Sequence, residues 1–99
     1  MRMKEKNSMR EVCRFTFKRP ITKDAIEEQM ALAIMTAECN FGQAKVRLNA
    51  AYVASNDKAV IEVSSAVGEH IAEMFTGLMT KKFGENSFSV ERIRSGSEL

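Results

Sequence analysis

Few residues in this chain carry chemistry, and those few are scattered. His70 is the only histidine, with Glu69 beside it and Glu73 three residues on. An imidazole near carboxylates suits a general base or a metal ligand, but both roles need partners that converge, and no His/Cys/Asp set has ligand spacing. The expectation is an ordinary boundary histidine, and a small enzyme using His70 ranks third among the functional readings. Cys13 and Cys39 form no CxxC pair and have no activating base that the sequence can place, so two free thiols are expected. Met30, Met74 and Met79 fit packing better than a thioether metal site. The glycines at 42, 68, 77 and 84 have neither the GxGxxG nor the GxxxxGKS spacing of phosphate loops and read as caps and close-packing points. No metal and no cofactor is therefore expected.

Charge is distributed unevenly. Residues 1–23 hold eight Lys/Arg against two Glu, whereas residues 24–99 hold seven against eleven Asp/Glu, giving +6 followed by −4. A basic leading segment (Arg2, Lys4, Lys6, Arg10, Lys18) can attract nucleic acid nonspecifically and in a salt-sensitive way, or simply keep the protein soluble. Residues 1–9 have no apolar run long enough for a secretory signal and no stretch is long enough to span a bilayer, so a reducing cytoplasm and no membrane are expected.

The elements that position these residues follow from two rhythms. From Glu11 to Lys18, Cys13, Phe15 and Phe17 alternate with Arg14, Thr16 and Lys18, as in a half-buried strand that Pro20 stops. Thr22 is placed to cap a helix running to about Glu38, with Ile26, Met30, Ala33, Ile34 and Ala37 at three- and four-residue spacing and Gly42 at its exit. Alternation from Ala44 to Ser55 predicts a second strand, with Val46, Leu48, Ala50, Tyr52 and Ala54 opposite Arg47, Asn49, Ala51 and Val53. Asn56-Asp57 makes a turn into a third strand, Lys58 to Ser64. Ser64 or Ser65 then caps a helix with the stripe Val67, Ile71, Met74, Phe75 and Leu78, which Gly84 ends, and Phe88 to Ile93 is the last strand.

Strand-helix-strand-strand-helix-strand order with right-handed crossovers implies an α+β, ferredoxin-like βαββαβ sandwich. It would have a four-stranded antiparallel sheet of order 4-1-3-2 and two helices on one face. The expected division is a flexible segment 1–9, one domain 10–94 and a flexible tail 95–99. RNA-recognition domains share this topology, but they stack bases on aromatic residues of the first and third strands. Here the third strand has none, and Phe15 and Phe17 belong to the core alternation.

Two surfaces remain for function. On the first helix, Leu32, Met35 and Cys39 recur at i, i+3 and i+7 opposite Ile26 and Ala37, a second apolar stripe that a two-layer sandwich leaves in water unless another subunit covers it. On the open sheet face, Arg14, Lys18, Arg47 and Asn49 are candidates to hold an anion, with Glu62 and Glu91 on the same face as competing partners. The leading expectation is a small non-enzymatic binding or regulatory module that self-associates as a homo-oligomer, most commonly a dimer, through Leu32, Met35 and Cys39. The alternative is a nucleic-acid-associated accessory protein using the basic N-terminal segment.

Overall fold

The computed structural model describes residues 10–95 as an α+β arrangement of one antiparallel sheet and three helices. The elements are β1 (Arg10–Phe17), α1 (Lys23–Phe41), α2 (Gln43–Asn49), β2 (Tyr52–Ala54), β3 (Lys58–Glu62), α3 (Ala66–Phe83) and β4 (Phe88–Ser95), with a single 3-10 turn at Glu85–Ser87 before β4. The strands lie in the order β2-β3-β1-β4, so β1 and β3 are central.

Local chemistry sets the helix ends. Thr22 Oγ1 accepts from Ala25 N at the start of α1, and Ser65 Oγ accepts from Gly68 N at the start of α3, each supplying a partner to a donor that the first turn leaves without one. Both long helices end on glycines at positive φ, Gly42 at 89° and Gly84 at 92°. Their ψ values near 150° put them in a region essentially reserved for glycine, not the left-handed helical well expected of a C-cap. Lys81 and Lys82 sit in the last turn of α3, where cations oppose the negative end of the helix dipole.

The predicted strand from Ala44 to Ser55 is corrected. Its first half is the short helix α2, and only Tyr52–Ala54 pairs with β3. Gln43-Ala-Lys-Val-Arg-Leu is composed of good helix formers apart from Val46, and the two-residue alternation has no second strand to satisfy it: Val46 is buried, while Leu48 is 83% exposed. Arg47 and Asn49 therefore leave the sheet altogether.

Cross-strand register divides the sheet cleanly. Phe15 lies opposite Ala59 and Val90, Phe17 opposite Phe88, and Cys13 opposite Ile61 and Arg92, all on the side of the core. One buried cluster joins these to Ile26, Met30, Ala33 and Ala37 of α1 and to Val67, Ile71, Phe75 and Met79 of α3, with Ile34 packed against it. Phe15 and Phe75 meet edge to face with centroids 4.9 Å apart, and burying each ring stabilises the fold by about 2–3 kcal/mol. Gly68 is buried where α3 starts against the β3 backbone, and a Cβ there would lie 2.0 Å from the Glu62 carbonyl oxygen. This contact sets how closely α3 can approach the sheet.

Candidate functional site: an apolar groove between the long helices

The three residues of the second apolar stripe lie together on the outside of the helical layer. Leu32 is 41% exposed, Met35 57% exposed, and Cys39 is exposed and unpaired. Met74 and Leu78 of α3 join them. The sequence pattern assigned both to the buried stripe of that helix, but they are only half-buried and form the opposite wall of a groove of about 260 Å³ that presents apolar atoms alone. Thr36 lies on its floor with its hydroxyl turned inward to the Ala33 carbonyl at 2.7 Å. The periodicity of α3 carries Met74 and Leu78 on one edge of its stripe, and only the position of α1 decides whether that edge is covered.

His70 sits beside this groove, and both of its ring nitrogens have partners. Its Nε2 is 3.1 Å from Thr36 Oγ1, and its Nδ1 is 3.5 Å from Asn40 Nδ2. The Thr36 hydroxyl has one proton and gives it to Ala33, so it accepts from His70, and Nε2 carries the hydrogen. Nδ1 then accepts from the Asn40 amide. Phe41 packs edge-on to the imidazole at 5.8 Å. These two contacts join the end of α1 to the start of α3. Among the described residues no three of His, Cys, Asp and Glu come together as a metal ion requires.

The proposed anion set is not brought together. Arg14 does lie on the open sheet face, but its Nη2 is bonded to Glu91 Oε1 at 2.9 Å. Lys18 follows the end of β1 and faces a separate cleft with Arg19 and Phe83. Arg47 is on α2, and Asn49 Nδ2 donates to the Lys45 carbonyl at the end of the same helix. In the Lys18 cleft, Arg19 is occupied too: it donates to the Phe83 carbonyl at 3.1 Å and lies over the Phe83 ring. Arg19 thus bonds a carbonyl at the C-terminal end of α3, whose negative dipole end is an unfavourable place for an anion.

What the open face does carry is apolar. Val12 and Ile93 lie opposite one another, as do Val53 and Val60, and the Arg14–Glu91 and Arg10–Glu62 pairs flank them. The first strand's alternation could have found Val12, which shares a face with Arg14 and Thr16. Phe15 and Phe17 are buried, so the central strand offers no ring to a base.

A last cluster is structural. The Arg92 guanidinium bridges Glu11 and Glu69, tying the edge strand β4 to β1 and to the first turn of α3. Its hydrogen bond holds the Glu11 carboxyl below the usual carboxylate range, and the two acids raise the Arg92 pKa in return. Burial pushes the neighbouring Cys13 thiol up, the opposite of what a nucleophile needs.

No known protein family, curated protein or solved structure matches the chain. No helix among the described residues is long and apolar enough to cross a membrane. The functional reading therefore rests on these surfaces.

Proposed function

We propose that this protein is a small non-enzymatic binding module that works as a homo-oligomer, with the groove between α1 and α3 as its contact surface. The domain is read as a ferredoxin-like βαββαβ sandwich, with α2 inserted before the second strand. The strand order and the single core shared by both long helices and the sheet support this reading.

One observation carries the functional proposal: residues from two separate helices, Leu32 and Met35 on one side and Met74 and Leu78 on the other, form a continuous apolar surface that no part of the described chain covers. Exposed apolar area that is contiguous, and not scattered singly, marks contact sites in soluble proteins. Closed two-fold pairing is the commonest way for a small domain to cover such a surface.

Sedimentation velocity tests the reading. The expected result is a concentration-dependent dimer in the micromolar range that Leu32→Asp or Met35→Asp converts to a folded monomer. A wild-type monomer at those concentrations, unaltered by either substitution, removes the basis for it. Binding of single-stranded or duplex nucleic acid at low salt, lost when Arg2, Lys4 and Lys6 are replaced by Gln, would favour the accessory-protein alternative; those three residues lie outside the described segment.

A further inference from the structure

Gly77 is the residue of α3 that the isolated chain does not explain. It lies in the interior of an 18-residue helix, where glycine costs about 1 kcal/mol relative to alanine. Its φ is not positive, and a Cβ added to it would meet nothing within 4 Å. Neither backbone geometry nor packing within the chain calls for glycine there, in contrast to Gly68 on the buried side of the same helix.

Its surroundings are ordered about it. Glu73 and Lys81 lie four residues before and after it, so Glu73, Gly77 and Lys81 form one ridge, the i±4 row along which helices interlock. All three are exposed, and among the described residues neither Glu73 nor Lys81 forms an ion pair. Met74 and Leu78, the groove wall, stand next to this ridge. A two-fold axis through Gly77 and perpendicular to α3 brings the same helix of a second copy across it in the antiparallel sense. Each Glu73 then faces the partner's Lys81, giving two reciprocal ion pairs about 6 Å either side of the crossing point, at 1.5 Å rise per residue.

We propose that the chain self-associates by crossing α3 antiparallel with α3 of a second copy at Gly77, where the missing side chain lets the helices approach and Glu73 and Lys81 set the direction. Close approach brings Met74 and Leu78 of each copy against Leu32 and Met35 of the other, so the groove is filled by its own counterpart. This rests on the self-association reading above and adds to it a specific geometry.

The test is a charge exchange followed by sedimentation equilibrium on the full chain, with circular dichroism to verify folding of each exposed-site variant. Glu73→Lys or Lys81→Glu alone places like charges in contact and should raise the dimer dissociation constant about tenfold or more. The two together restore both pairs with reversed sense and should return it to the wild-type range. Gly77→Gln should weaken the dimer comparably. Gly77→Cys in a Cys39→Ser background should oxidise to a covalent dimer, because the residue meets its own copy at the axis. If all these variants dimerise as the wild type does while Leu32→Asp still dissociates it, the α3 crossing is overturned and the groove reading stands. A monomeric wild type overturns both.

Discussion

Gly68→Ala reverses an ordinary rule, and the size of the reversal follows from the structure. Alanine in place of glycine inside a helix normally stabilises by about 1 kcal/mol. At position 68 the added methyl would lie 2.0 Å from Glu62 O, 3.0 Å from Glu62 C and 3.1 Å from the Val63 Cα. These are backbone atoms of the β3 to α3 connection and cannot swing aside as a side-chain end would. Restoring an ordinary contact moves the first turn of α3 by more than an ångström, and with it Val67 and Ile71, which are fully buried. Overpacking of this kind costs about 1–3 kcal/mol, and its upper end applies against backbone. After the helix-propensity gain the net loss is about 2 kcal/mol, or roughly 8–16 °C in melting temperature for a domain of this size. Urea unfolding at fixed pH, with Gly77→Ala measured beside it at dilutions where the chain is monomeric, gives the assay. Gly77→Ala has open space and should raise the midpoint. A Gly68→Ala midpoint equal to or above the wild type would refute the inference that this glycine sets the helix-to-sheet distance.

Four further outcomes follow from particular contacts. The Gln29 side chain is 4% exposed and has no hydrogen-bond partner among the described residues, so Gln29→Met should stabilise the fold by about 1–2 kcal/mol in the same urea titration. Ser65→Ala removes the cap of α3 and should cost about 1 kcal/mol, read as a lower midpoint with an unchanged slope. The Glu11 carboxyl, depressed by Arg92, favours folding above the ordinary carboxylate value of 4.5, and this contribution is lost as pH falls through the lower folded value. Arg92→Met should therefore flatten the acid side of the stability profile below that pH, and an unchanged acid slope would count against the bridge. At dilutions where the chain is monomeric, a disulfide reagent should label exposed Cys39 at once and buried Cys13 only on unfolding.

How much could be read before the fold was seen depends on how local each feature is. Cys13, Phe15 and Phe17 alternate because a strand turns successive side chains to opposite faces, and burial of all three on the α1 and α3 side follows from that period alone. Thr22 and Ser65 cap their helices through bonds that reach only three residues ahead. Leu32, Met35 and Cys39 are identifiable as a second stripe because one helix cannot bury two opposite faces in a two-layer domain. The stretch from Ala44 to Ser55 misleads for the complementary reason: its alternation is real, but strand pairing is a long-range contact, and β3 reaches only its second half, pairing with Tyr52–Ala54 and bonding the flanking Ala51 and Ser55 backbone. Without a partner, helix propensity wins between Gln43 and Asn49, and Arg47 and Asn49 go with it.

Outside the stretch from Ala44 to Ser55, the order of strands and helices, the caps Thr22 and Ser65 and the inward face of β1 were thus determined by the sequence itself, since period and capping are written within a few residues. Which apolar side chains remain outside was decided only in three dimensions. Met74 and Leu78 lie on an edge of their helix that α1 half covers, His70 is occupied by Thr36 and Asn40 from thirty or more positions away, and Val12, Val53, Val60 and Ile93 adjoin because three strand pairings align them. Exposure is a property of neighbours, and the neighbours of a residue are set by how the layers pack.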